Sequence, residues 1–194
     1  MTGSREQILA AVRGHQPAPV ELPELPDFNA DADTSLVAFG DALARLGGRL
    51  VMPEGTPADT VRACHPQAQV IVSATPEVAG TRPLPDAAQP GALEDVDVGV
   101  VRAAFGVAET GSVYLSEAEF GVNALGFLPQ HLVVLLDPAA ILPGIQQAWR
   151  HPAFRSARYA ALMTGPSATA DIEGVLIRGA QGVRSLTVIP CAAP

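Results

Sequence analysis

Ala108-Glu109-Thr110-Gly111-Ser112 sets one carboxylate and two hydroxyls around a glycine. Facing a cleft, Glu109 could act as a base, a nucleophile or an acceptor for a substrate hydroxyl. It is therefore the candidate catalytic residue, with Thr110, Gly111 and Ser112 as candidate ligand contacts. On a solvated edge the same residues are only a polar turn. A second cluster, Thr164-Gly165-Pro166-Ser167-Ala168-Thr169-Ala170-Asp171-Ile172-Glu173, reads as a strand-to-helix junction. Such a junction leaves backbone N–H groups unpaired at the carboxyl end of a strand. Hydroxyls of Thr164, Ser167 and Thr169 would add donors for a small anion. The alternative is plain capping by Ser167 or Thr169, with Asp171 and Glu173 answering the helix dipole. Those acids already bring negative charge to the place where an anion would sit.

Asn123 and His131 precede or begin an apolar run, with Leu128-Pro129 between them, and a histidine so placed is more often structural than catalytic. His15, His65 and His151 lie next to turns or prolines without ligand spacing and are expected at the surface. Cys64 and Cys191 are far apart and match neither a disulfide framework nor a zinc or iron–sulfur spacing, and two thiolates fall short of the four a cluster takes. No metal site is expected in this chain.

These residues need elements to hold them. Ser4 with Gln7 forms a capping-box pattern ahead of Ile8, Leu9 and Val12, which predicts a helix ending near Gly14. Pro17, Pro19, Pro23 and Pro26 make 16–27 an extended connector, long enough to dock the first helix at a distance or on another copy in a homo-oligomer. Thr34 is placed to cap a helix carrying Leu36, Val37, Phe39, Leu43 and Leu46, with Gly47-Gly48 ending it. Leu50-Val51-Met52 reads as a strand, Thr56-Pro57 as the start of a helix stopped by Pro66, and Val70-Ile71-Val72 as the next strand. Strand, helix, strand is the unit of a parallel sheet with a crossover helix. Residues 74–95 read as a long surface loop.

In the second half, Val98 to Val101 reads as a strand, and 105–108 with 112–115 as a hairpin about Glu109-Thr110-Gly111. Leu132 to Leu136 is a buried strand by its unbroken apolar run. A helix is expected from Asp137-Pro138 to about Trp149, a strand at 159–163, a helix at 170–178 and a last strand at 186–189. The expected architecture is α/β, with residues 1–27 as N-terminal helix and Pro-rich connector and 28–194 as one domain built on a mainly parallel sheet flanked by helices.

Composition bounds the function. A chain of 194 residues suits one domain with a real core, and its 18 Pro and 18 Gly imply many turns. The net charge of −8 opposes binding to a phosphate backbone, so nucleic acid is excluded as an expected partner. All 12 basic residues are Arg, which removes Schiff-base and P-loop lysine chemistry. Neither a secretory signal pattern nor an apolar run of spanning length is evident, so the expected compartment is the cytoplasm.

The ordered set Ala108-Glu109-Thr110-Gly111-Ser112, Leu128-Pro129-Gln130-His131 and Thr164 to Glu173 resembles the lactate-utilisation (LUD) domain family, and within it the C type. The resemblance covers about residues 95 to 190 well and the whole chain more loosely. It implies a fold like that of the sugar-phosphate isomerase and CoA-transferase group. It also implies an accessory subunit of an iron–sulfur-dependent system that oxidises L-lactate to pyruvate. The clusters are then expected only in partner subunits, and this chain would supply a small-anion pocket and an interface. Two positions depart from the family pattern. Gln181 stands in Gly179-Ala180-Gln181-Gly182-Val183 where a histidine is common, and an amide cannot act as acid or base near neutral pH. Ala124 follows Asn123 where an arginine is frequent. A competing expectation is an independent enzyme or binding protein for a phosphate- or CoA-bearing metabolite, with Glu109 as nucleophile or base.

Overall fold

The computed structural model describes residues 3–193 except 19, 30, 87, 88 and 172. Helix α1 (Ser4–Gly14) buries none of its residues, and the connector after it is irregular and exposed. Its cap is Gly3 and not Ser4: the Gly3 N–H donates to the Glu6 carboxylate at 3.1 Å. Helix α2 (Leu36–Arg45) is capped by Ser35, one residue past Thr34, whose hydroxyl accepts from Ala38 N at 3.2 Å. Strand β1 (Arg49–Leu50) is shorter and earlier than expected. Helix α3 (Pro57–Cys64) starts as read, with Thr56 and Asp59 forming a reciprocal capping box. Strand β2 (Ile71–Ser73) follows.

Segment 74–95 is more than surface loop. Val78 and Leu93 are buried, Pro90–Leu93 makes a 3-10 turn, and Arg82 binds the Asp95 carboxylate. Strand β3 (Val98–Arg102) leads to the hairpin β4 (Phe105–Val107) and β5 (Ser112–Ser116), which closes where the sequence placed it. A short α4 (Glu117–Phe120) precedes β6 (His131–Leu136).

Two expected helices are different structures. Over 138–149 the chain makes a 3-10 turn, then β7 (Ile141–Leu142), and only then α5 (Ile145–Arg150). Pro143 cannot donate to a helix, and Ile141 and Leu142 instead pair with β4. After α6 (Pro152–Ser156) and β8 (Ala160–Met163), the segment expected as helix 170–178 is the end of a small hairpin. Its strands are β9 (Ala168–Thr169) and β10 (Ile177–Arg178), antiparallel. Glu173 and Gly174 both take left-handed angles, φ 55° and 70°, which turn the chain back where a helix would continue. The helical spacing of Val175 and Leu176 buries nothing, since both are exposed; Ile172 lies outside the described residues. Strand β11 (Ser185–Pro190) completes the chain.

All pairings in the main sheet are parallel, in the order β1-β11-β6-β3-β2. The first two strands are therefore at opposite edges and not neighbours. The longer apolar strands β3, β6 and β11, buried on both faces, take the centre, and the two- and three-residue strands are left to the rims. A second sheet, β7-β4-β5-β8, lies beneath the first. Alternation along the strands divides the core. Leu132, Val134 and Leu136 face inward with Val113 and Leu115 of the second sheet and Phe39 and Leu43 of α2. Val133 and Leu135 point the other way, onto Val61 of α3. Tyr114 and Phe105 stack at 4.6 Å on the far face of the second sheet, against Ala148 of α5 and Phe154 of α6. The layers run helix, parallel sheet, mixed sheet, helix.

Candidate functional site

The two motifs meet through hydroxyls. Thr110 Oγ1 lies 2.7 Å from Ser112 Oγ, which in turn hydrogen-bonds Thr164 Oγ1. Residues 52 positions apart thus share one chain of donors, because β5 pairs antiparallel with β8, setting Val113 opposite Met163. Ser112, at its centre, is buried, while Thr110 and Thr164 are half-buried.

Both motifs also press on the last turns of α2. Gly111 has φ 66°, and a β-carbon there would sit 2.1 Å from Leu43 N. Gly165 has φ 71°, and its β-carbon would sit 2.4 Å from Leu46 O. Only glycine combines the left-handed angle with such an approach.

Beyond Thr164 opens a cleft of about 340 Å³, lined by Thr164, Gly165, Pro166 and Ser167, by Phe127, and by Gln181 to Val183. Ser167 is fixed in its wall, its N–H donating to Val183 O at 3.1 Å and its carbonyl accepting from Gly179 N at 2.6 Å. Phe127, Gly182 and Val183 are lining residues that the sequence did not single out. Phe127 lies 37 positions before Thr164 and Gly182 fifteen after Ser167, separations that no local pattern spans.

Several candidate residues stand elsewhere. The Glu109 carboxylate accepts from Ile145 N at 3.0 Å, the first residue of α5, and Glu109 is absent from the cleft lining. Thr169 donates to the Asp171 carboxylate at 2.6 Å in a local turn of the small hairpin, with Glu173 exposed near its tip. Asn123 is exposed at the start of a 3-10 turn. Glu109, Ser167 and Asp171 therefore do not line one cavity.

His131 lies in a different cleft. Its ring stacks on His65 at 4.6 Å and its Nδ1 lies 2.8 Å from Ser185 Oγ. His65 is thus not the surface histidine expected. Burial pushes its pKa down to about 4, with His131 and Arg49 adding to the effect. His131 is also lowered, by burial first and then by Arg49 and Arg184, against the opposing charge of Asp97. His151 too is half-buried, its ring tilted against Phe105 at 4.5 Å, while His15 is exposed.

For iron–sulfur ligation the donor set does not fit. Cys64 and Cys191 are free thiols on α3 and after β11, and among the described residues no three His, Cys, Asp or Glu side chains converge as a metal site. Among the described residues no helix is long and apolar enough to cross a membrane.

A layered α/β chain whose two polar motifs join beneath a small cleft is the class that fold and site define. The LUD domain model matches residues 91–189, just over half of the sequence, and the chain belongs to the LUD domain family. The matched span takes in both motifs and leaves out α2, β1 and α3. An uncharacterised protein of Escherichia coli K12, YkgG, is 33% identical over 95 residues, covering 46% of this chain and 41% of that protein. The chain thus matches less than half the length of that relative. A crystal structure of a DUF162 family protein from Deinococcus radiodurans has the same fold, with a TM-score of 0.59 at 18% identity, covering 80% of this chain and 94% of the other.

Proposed function

We propose that this protein acts in lactate utilisation as an accessory subunit of an iron–sulfur-dependent system oxidising L-lactate. The observation that carries the reading is the Thr110–Ser112–Thr164 hydroxyl chain, which joins both family motifs and ends at the cleft wall. In this reading Thr164 and Ser167 offer hydroxyl donors to a small carboxylate, and Gln181 offers an amide without proton-transfer chemistry. Glu109 is a positioning residue, committed to the first turn of α5. The cluster-bearing partners carry the electrons, a division supported by the two-cysteine composition.

The test is replacement of Thr164 by Val and of Ser167 by Ala within the assembled system. Each is expected to raise the lactate concentration needed for half-maximal rate by about tenfold, the equivalent of one lost hydrogen bond of roughly 1.4 kcal/mol. Unchanged lactate dependence in both variants would remove the cleft from the function.

A further inference from the structure

The cleft that holds His131 lies at the amino ends of the parallel strands. Arg49 comes from β1, Asp97 precedes β3, His131 opens β6, and Arg184-Ser185 lead into β11, while Cys64 and His65 close the space from the end of α3. Its volume, about 590 Å³, falls within the range of about 300–1,000 Å³ typical of small-molecule sites. Its charges are two guanidiniums against one carboxylate.

Those groups differ in what they are bound to. One Asp97 oxygen accepts from Gln69 N and Val70 N, at 2.8 and 2.9 Å, so the carboxylate is engaged in holding the entry to β2. Among the described residues neither Arg49 nor Arg184 has an ion-pair partner, and the one hydrogen bond from the Arg49 side chain is long, 3.3 Å to Thr187 Oγ1. His65 Nε2 is buried with no hydrogen-bond partner among the described residues. A chain of net charge −8 thus keeps two unpaired arginines and an unpartnered imidazole nitrogen on one concave surface.

We propose that this cleft binds a small oxyanion of charge −2 or more, with Arg49 and Arg184 as its charged clamp and the His65–His131 stack as its floor. Guanidinium forks match carboxylate and phosphate oxygens alike, so a phosphate ester and a polycarboxylate are two sources of one chemistry. The site is separate from the Thr164 cleft and does not rest on the lactate reading, although Val183 and Arg184, adjacent in sequence, line one cleft each. Arg49 and His65 also lie outside the span that defines the family. An anion beside the stack offsets the two arginine charges and favours proton uptake by the imidazoles. Arg49, Arg184, Asp97, Cys64 and the partner ring are the charged or titratable groups lining the cleft around them.

Calorimetric titration of the full chain with pyrophosphate and, separately, with citrate tests this in low salt at pH 6. At least one probe is expected to bind, with at least tenfold weaker affinity in Arg184→Gln and in Arg49→Gln, and unchanged affinity in Arg13→Gln on the remote first helix. Repeating the titration in two buffers of different ionisation enthalpy should reveal net proton uptake. Which probe binds identifies the source. Binding by neither, or binding that both arginine variants retain undiminished, overturns the proposal.

Discussion

Ser112 is the residue on which the two motifs turn. Replacing it with Ala leaves Thr110 and Thr164 without their common partner and should cost about 1–2 kcal/mol in urea denaturation. A cycle pairing Ser112→Ala with Thr164→Val should show coupling of about 1 kcal/mol, whereas additive effects would mean that the contact contributes nothing. Gly111→Ala should be worse, roughly 2–5 kcal/mol, because the left-handed angle and the collision with Leu43 add together. At this scale the sequence was informative about residue type and silent about company. The hydroxyls of Thr110, Ser112 and Thr164 were all candidate contacts, but that they touch each other depends on strand pairing. Asp171 and Glu173 share the second motif with Thr164 and Ser167, but the hairpin carries them into solvent. His65 appeared isolated because its partner ring is 66 positions away.

Among the elements, the longer strands were legible, while two expected helices and the short strands β7, β9 and β10 were not. The unbroken apolar run Leu132 to Leu136, short and preceded by Pro129, reads as a buried strand, and it is one. Segment 170–178 has helical spacing, yet two consecutive left-handed residues decide its shape, and glutamate at one of them gave no warning. At the carboxyl ends of the parallel strands an ion pair gathers separate segments. Arg102 at the end of β3 binds the Glu77 carboxylate and also donates to Cys191 O at 3.0 Å, tying down the chain after β11. Burial opposes ionisation of Glu77, but bonds from Thr75, its own backbone and Arg102 prevail and hold its pKa below the ordinary 4.5. Its stabilising share is therefore complete above the unfolded-state value and is lost as pH falls through the folded one. Arg102→Leu strands that carboxylate in a mostly buried place and should cost about 3 kcal/mol near neutrality. A loss under 1 kcal/mol in equilibrium unfolding would show that the pair is not structural.

Over the whole molecule, acid stability joins the two ends of the sheet. His65 resists protonation down to about 4 when folded, against 6.5 for a free histidine. The unfolded chain therefore takes a proton that the folded chain refuses, and stability falls as pH drops from 6.5 to 4. Half-buried as it is, the group should account for on the order of 1–2 kcal/mol after solvent screening, and His65→Gln should flatten that part of the pH profile. A variant with the wild-type slope would locate the sensitivity elsewhere. The strand order was the least legible feature at this scale. A strand, a helix and a strand suggested neighbours, but the central places went to longer strands that appear later in the chain. The family, by contrast, could be read from the ordered motifs, and the matched residues 91–189 nearly coincide with the span carrying them.

The proposed role is a contribution to lactate oxidation without carrying the electrons. Its most direct test is an assay of L-lactate oxidation with an artificial electron acceptor, run on the purified chain alone and on the assembly it forms with iron–sulfur proteins from its own host. No turnover by the chain alone, and turnover by the assembly, is the predicted result. Oxidation of lactate by the isolated chain, with neither partner nor added cofactor, would contradict it.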